Sequence, residues 1–519
     1  MKFSNTKWLL LVLAAAAPLA SIEASSAMKK PALVSKKVQK SPAKKPSNNV
    51  KAKSSSSKTG AGETPGVWPC MDALDKKLIM ISIPMIINFS ITPLVGANDL
   101  FWTNRMGNAL IVAGQAAATQ VFNSGFWLAS FLPSVTSTLV SKENAKGNKD
   151  GVQDAVCQAL FVAFLIAVGG SYLFFNHAEK ALSSVLEVHA PAMQYAKLYL
   201  GIRAFSFLPA LIALVGFSAF RGILDVKTPF IISVLTSAIN CCLDPILIFG
   251  FDMGLKGNAL STLLSEVVSA ITFLILLFKR DLIKFSKLFR LPSWSKLGPL
   301  IKGGFAMQLR LIAFNITFIA VARVTQGIDS TGVAAAAHEM ALQTFQLGGV
   351  VLMALSVVAQ IVIPNELHSS AKQGGGIRAA RATSNRMMSW GLILGALLGG
   401  LQVMVLPWIQ KATPILEVRA AARTPAILAS ALQILNGLVF IGEGVMSGCG
   451  DFMQLAISTI VATLGCLLAL DYFPEHYDLT GVWMGFGVFN VLRLGGVVIH
   501  QLKTGAIAKN KMEAAEKKK

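Results

Sequence analysis

The chain of 519 residues is 54% hydrophobic and only 14% charged, with a mean hydropathy of +0.59; a soluble domain carries about a quarter charged residues, so a soluble enzyme or binding module is excluded. The formal charge of +21 is unevenly placed, because twelve lysines face the single acid Glu23 within residues 1–62. A basic balance of this kind does not point to nucleic acid and fits loops held against anionic lipid. The six cysteines (70, 157, 241, 242, 449 and 466) show neither metal-ligand spacing nor a disulfide framework.

Lys2 and Lys7 precede the apolar stretch from Trp8 to Ala20, and small residues follow to Ala27, the form of a secretory signal peptide over 1–27. Residues 28–75 are expected to be a disordered basic targeting segment, since Met28 to Gly62 is rich in Lys, Ser, Ala and Pro and contains no acid. A signal followed by such a stretch resembles the bipartite leader of plastid proteins in algae with secondary plastids. Met28 departs from that pattern, which places an aromatic residue after the cleavage point. The alternative is an ordinary secretory signal with a basic tail, leading to the plasma membrane or an endomembrane.

Apolar runs long enough to span a bilayer then recur to the end of the chain. Twelve helices are expected, near 78–103, 109–140, 155–175, 192–217, 228–250, 257–278, 299–323, 333–363, 388–410, 421–446, 453–473 and 481–502. The first six form an N-terminal lobe over 76–278. A basic linker over 279–298 leads to a C-terminal lobe over 299–502 and a basic tail over 503–519. The class is an all-α polytopic membrane protein of two pseudo-symmetric six-helix lobes. Basic residues gather in the even-numbered connections and the tail, which places both termini on the cytosolic or stromal side.

The most informative stretch runs from Phe217 to Thr262. It opens with the polar hinge Arg221-Gly222 and Asp225, and Asn240 and Asp244 follow inside an apolar run. Four residues apart, these two share one helical face and can share one proton or cation. A carboxylate within hydrocarbon costs several kcal/mol (roughly) unless it is paired or neutralised, so it marks a functional site or else lies near the headgroups. The lobes also repeat. Ala113, Gln120, Phe122 and Glu143 match Ala336, Gln343, Phe345 and Glu366 at one offset, and Gly222 and Asp225 match Gly448 and Asp451 at another. Parallel repeats about an axis along the membrane normal suit alternating access.

Residues from about Leu78 to Leu502 resemble the multidrug and toxin extrusion (MATE) family, in its DinF-like branch and plastid-type plant relatives. The most specific segments are Pro84 to Gly107, the hinge Phe220 to Pro229, Asn240 to Phe251, and Gly254 to Thr262. The resemblance implies two lobes around a cleft and a cation gradient driving export of organic solutes. Carried over residue by residue, it implies a coupling network of Asp99, Asp244, Asn240, Tyr199 and Thr262, with Pro84 bending the first helix. Asn104 replaces a family glycine. The seventh helix lacks the acid of the sodium-coupled branch and has Gln308, Arg310 and Asn315, which leaves coupling to the N-terminal lobe.

Arg310 must pair, face water or snorkel; it is expected either to meet a substrate carboxylate or to pair with Glu443 or Glu339. His338 is expected to cap the eighth helix at the interface, and Glu266 to be a proton relay or a packing contact. Glu443 adds a second-lobe carboxylate. The expected function is proton-coupled export of small organic solutes, with a sodium-coupled exporter of the same fold or a lipid-linked oligosaccharide flippase as alternatives. No nucleophile motif, phosphate loop or metal cluster argues for an enzyme. No cofactor is expected beyond the proton gradient, with sodium as the variant. The expected partners are an organic solute and the bilayer, with no nucleic acid and a monomeric state.

Overall fold

The computed structural model describes residues 66–186, 189–288, 294–329, 331–370, 375–411, 415–508 and 510. The signal peptide over 1–27 and most of the targeting segment lie outside them. Among the described residues the chain is helical throughout, and its helices are α1 (Ala73–Asn104), α2 (Ala109–Phe126), α3 (Leu132–Ala145), α4 (Lys149–Asn176), α5 (Ala178–Leu182), α6 (Met193–Ala204), α7 (Phe207–Gly222), α8 (Lys227–Pro245), α9 (Leu255–Lys279), α10 (Phe285–Leu288), α11 (Trp294–Gln326), α12 (Val333–His368), α13 (Ile377–Gln410), α14 (Leu416–Cys449) and α15 (Phe452–Ile499). Nine described helices are long and apolar enough to cross a bilayer, and α6 with α7 makes a tenth, bent by 51°. The helical run of α15 contains two spans, divided at Tyr477 and Asp478, whose backbone leaves the helical region. The second expected span corresponds to α2 and α3.

Four expected spans are therefore interrupted or fused. The second breaks into α2, a 3-10 turn over Trp127–Ala129 and α3, which runs on to Ala145. The fourth breaks at Phe205 and Ser206 and continues to Gly222. The eleventh and twelfth meet without a long loop, since Asp478 takes a left-handed φ of 45° and turns the chain within two residues. Apolarity alone does not register the first two breaks, because the residues on either side are largely apolar, whereas the polar stretch from Asp471 to Asp478 marks the third.

Helix starts follow local chemistry. Asn108 accepts from Leu110 N at 2.9 Å to begin α2, and Asn148 from Gly151 N at 3.1 Å to begin α4. Asp225 accepts from Thr228 N at 3.0 Å and from its hydroxyl at 2.7 Å, just as the α8 turn forms. Such caps satisfy amides that have no partner within the helix.

The expected disorder of 28–75 does not extend to its end. Asp75 is fully buried and accepts from Cys70 N and Met71 N at 2.8 Å each, from Trp390 Nε1 at 2.8 Å and from Arg386 Nη1 at 2.6 Å. Arg386 also reaches Asp72 at 3.1 Å and the Gly66 carbonyl at 2.8 Å. One buried guanidinium thus fixes the entry to α1 against α13. The basic run before it offers no carboxylate that could do the same.

Helices α1 to α9 pack mainly on one another, as do α11 to α15, and α12 meets both α1 and α3. Several hydrogen bonds between the halves gather near the beginning of α1. Lys77 Nζ meets Glu366 at 2.7 Å, Ser141 Oγ donates to Ile361 O at 2.7 Å, and Gln360 Nε2 donates to Ser134 O at 3.0 Å. Thr138 Oγ1 donates to Ser447 O at 3.3 Å. Glu366, one of the repeated acids, therefore joins the halves, whereas its counterpart Glu143 is held locally by Lys146 and Asn148, each at 2.7 Å.

Small residues set the tightest packing, between α13 and α14. A Cβ on Gly437 would lie 2.0 Å from Gly391 O, and one on Gly391 would lie 2.5 Å from Gly437 O. Gly391, Gly395 and Gly399 recur every fourth residue, so the two backbones touch along one stripe. Gly437→Ala is expected to lower stability by at least about 1–3 kcal/mol, since the obstructing atom is backbone and cannot rotate away. Thermal unfolding of the detergent-purified protein measures this. On another face of α13, Leu397, Leu401, Met404 and Trp408 are exposed, as lipid contact requires.

Candidate functional site

Asp99 on α1 and Asp244 on α8 face each other, with their carboxyl groups within hydrogen-bonding reach. Asp244 is fully buried. One of its oxygens accepts from Asn98 Nδ2 at 2.6 Å, and the other accepts from Ser261 Oγ on α9. Asn98 is itself oriented by Trp102 Nε1, which donates to its side-chain oxygen at 3.1 Å. Two carboxyl groups so close together in a dry site are relieved by one shared proton or one cation.

Around the pair lie buried polar atoms whose hydrogen-bonding capacity is unused. They include Asp99 Oδ1, both side-chain polar atoms of Asn240, Gln115 Oε1 and Asn258 Nδ2. Asn240 lies one turn before Asp244 on the same face of α8, as the spacing predicts, and is only 2% exposed. Tyr199 on α6 is buried with its hydroxyl toward Gln115 and Thr119. Gln115 Nε2 donates to Asn258 Oδ1 at 3.0 Å, tying α2 to α9. Unused buried polar atoms are costly (about 1–3 kcal/mol each) unless water, a proton or an ion meets them. Their concentration at one place sets the site apart.

Thr262 does not join this network. Its hydroxyl donates to Asn258 O at 3.1 Å within its own helix, and Ser261 makes the contact with Asp244 instead. Helical period did not separate the two: Asn258, Ser261 and Ser265 are buried, while Thr262 lies about 100° from Ser261 but only about 40° from Asn258. Asn98, next to Asp99, is the other contributor that sequence reasoning missed. Pro84 lies fifteen residues before Asp99 on α1, roughly 22 Å along the axis at 1.5 Å per residue. A bend there reaches the pair only by moving α1 as a lever.

Arg203, also missed, pairs with Glu266 at 3.0 Å and donates to Ser206 Oγ at 2.9 Å. Its guanidinium sits over the Phe122 ring at 4.2 Å. It stands at the break between α6 and α7, so this positive charge is anchored where the fourth span bends. Glu266 is thus an ion-pair partner, with one oxygen left unpaired.

The second half has a different character. Glu443 accepts from Arg493 Nε at 2.8 Å and Nη2 at 2.7 Å, and from Arg310 Nη2 at 2.6 Å. Arg493 also donates to Asn490 Oδ1 at 3.1 Å, and both guanidiniums lie against the Phe314 ring. Arg310 pairs with Glu443, as one of the expectations had it, and Glu339 is instead exposed beside Gln343. Asn315 bonds back to Leu311 O at 2.8 Å, and Gln308 reaches Trp127 O at 3.1 Å across the halves.

His338 is not an interfacial cap. It is 7% exposed, 5.6 Å from Trp483 and stacked on Phe486 at 6.4 Å. The N-cap residue of α12 is Gly332, and Asp329 just before it satisfies the helix start by accepting from Gly332 N at 2.6 Å and Ala334 N at 2.7 Å. Those amides, chiefly Ala334, hold its carboxyl below the usual carboxylate range. At the hinges, Gly222 lies against Val140 and Gly448 against Gln360, so both glycines permit close helix contact. Arg221 is buried above the Phe217 ring, 3.4 Å from Ser218 Oγ. Asp225 lies 3.9 Å from Arg280, and Asp451 lies 2.8 Å from His500.

Comparison with known proteins agrees with this layout. The MatE family model matches residues 84–246, the stretch holding Asp99, Tyr199, Asn240 and Asp244. Protein DETOXIFICATION 44, chloroplastic, of Arabidopsis thaliana is 25% identical over 443 residues, covering 82% of each chain. A probable multidrug resistance protein NorM of Agrobacterium fabrum is 24% identical over 438 residues, covering 79% of this chain and 90% of its own. A crystal structure of a MATE protein in the bent conformation superposes with a TM-score of 0.75 at 20% identity, covering 85% of this chain and 98% of that one.

Proposed function

We infer that this chain, which carries a MatE domain in the fold of the MATE transporters, is a secondary exporter exchanging a small organic solute for protons. The observation that carries the reading is the pairing of half-buried Asp99 with fully buried Asp244 between α1, α8 and α9 among unused polar atoms. In the proposed cycle the solute is loaded while the pair is ionised. A proton arriving from the side away from the basic loops neutralises it, α1 shifts, and the solute leaves. The two halves, 76–278 and 299–502, act as the rocking lobes. A sodium ion is the nearest variant, since Asp99, Asp244, Asn240 and Gln115 together offer the oxygen ligands a hard cation prefers.

The solute class is that of the multidrug exporters among the relatives. The chloroplastic names of the plant relatives, together with the acid-poor leader, favour a plastid membrane. The test is efflux of a fluorescent organic cation and of an organic anion from proteoliposomes under an imposed pH gradient, with and without sodium. Efflux that follows the pH gradient in sodium-free buffer is expected. Efflux that needs sodium would replace the proton by that ion, and transport of a lipid-linked sugar without any gradient would overturn the exporter reading.

A further inference from the structure

The turn between α14 and α15 and the end of the last span bring three different ligand types together. A sulfur of Cys449, a carboxylate oxygen of Asp451 and a ring nitrogen of His500 all lie within 4.8 Å of one another. Gly450, with a φ of +81°, lets Cys449 and Asp451 flank one tight turn. His500 arrives from 49 residues further on, its Nε2 lying 2.8 Å from Asp451 Oδ2. Spacing in the sequence could not reveal this set, because the third ligand is brought in by a whole helical hairpin.

The imidazole is built into place. His500 is fully buried, so the Nε2 it turns to Asp451 is held away from bulk water. A Cβ on Gly505 would lie 2.5 Å from its ring, so the chain is shaped closely around the imidazole. The other half of the repeat supplies a contrast. At the offset that relates Asp225 to Asp451, Ile223 stands where Cys449 stands. The carboxylate of Asp225 is already used by Thr228, with Arg280 3.9 Å away. The hinge thus folds without thiol or imidazole, and the second half carries both.

We propose that Cys449, Asp451 and His500 form a binding site for a divalent transition-metal ion of the zinc class, with water as the fourth ligand. Sulfur, nitrogen and carboxylate oxygen are the donors such an ion takes in tetrahedral sites. Bonds of about 2.0–2.3 Å place ligand atoms roughly 3.3–3.8 Å apart, so small side-chain rotations close this cluster on an ion. Cys449 is in no disulfide, and the Asp451 side chain is 37% exposed, which gives water access. Binding releases the thiol proton and pins the α14–α15 turn to the end of the last span, restraining movement of that hinge. The group Cys70, Asp72 and Asp75 is no rival, because Arg386 and backbone amides occupy its carboxylates.

The test is titration of the full chain in detergent with cobalt(II), which reports tetrahedral geometry and thiolate ligation by its absorption, followed by displacement with zinc. Wild type and Cys70→Ser are expected to bind one ion with a thiolate-to-cobalt charge-transfer band. Cys449→Ser loses the band, and His500→Gln weakens binding at least about tenfold. Cys449→Ser is nearly isosteric and keeps the fold, and its elution as a monodisperse peak checks this. A band that survives in Cys449→Ser, or no tetrahedral spectrum in wild type, overturns the site.

Discussion

Asp244→Asn and Asp99→Asn are each expected to reduce pH-gradient-driven efflux by about 5–150-fold, the range of a single coupling free energy of roughly 1–3 kcal/mol. Asparagine keeps the volume, and at 244 its oxygen can accept from Asn98 while its amide turns to the Ser261 hydroxyl, which keeps Asn258 O as an acceptor, so the folded protein survives while the exchangeable proton is lost. Solute binding by the purified variants should persist, since only the link to the gradient is removed. Ser261→Ala sharpens the test: it takes away the hydroxyl that donates to Asp244 and should shift the pH at which efflux is half-maximal. Thr262→Ala should leave that pH unchanged, because the Thr262 hydroxyl is engaged by Asn258 O. Efflux from both Asp variants at the wild-type rate would remove the pair from the mechanism. A shift with Thr262→Ala and none with Ser261→Ala would mean that α9 is rotated during the cycle.

These contrasts mark how far the sequence can be read. Asn240 and Asp244 were legible because helical period and the scarcity of polar residues in hydrocarbon both single them out. Their burial on α8 follows directly. Ser261 and Thr262 are adjacent and chemically alike, so only the rotation of α9 separates them, and that is fixed by packing against α7 and α8. Spans were found where apolarity is continuous, but the breaks at Phe205–Ser206 and Trp127–Ala129 carry no proline or charge at the break itself. Arg203, Arg386 and Arg493 escaped notice for another reason. A lone arginine in an apolar run, as Arg203 and Arg493 are, reads as a snorkelling residue until its acid is located, and Arg386 reads as one more basic residue of an even-numbered connection; their partners lie 63, 50 and 311 residues away.

Glu443→Gln is expected to cost about 3–5 kcal/mol of stability, the usual penalty for removing one partner of a buried ion pair. Two guanidiniums converge on this carboxylate, and among the described residues neither Arg310 nor Arg493 has another acid within ion-pair distance. The wild-type cluster carries a net charge of about +1, and the substitution raises it to about +2 in a region with little water, where burial of unpaired charge is most costly. The sign is tested by companions. Arg493→Met leaves a one-to-one pair of Arg310 with Glu443 and should cost less than Glu443→Gln, although it removes packing against Phe440 and Phe489. Glu443→Gln with Arg493→Met should recover part of the loss of Glu443→Gln, since the cluster returns to its original charge. Thermal unfolding of the four proteins in one detergent, with yield of monodisperse protein as a second readout, decides the order. If Glu443→Gln unfolds like wild type but no longer couples efflux to pH, Glu443 is a second proton site and the arginines are its gate. If it unfolds early and Arg493→Met does not, the cluster is what fixes α11, α14 and the last span to one another, and coupling rests with the other half.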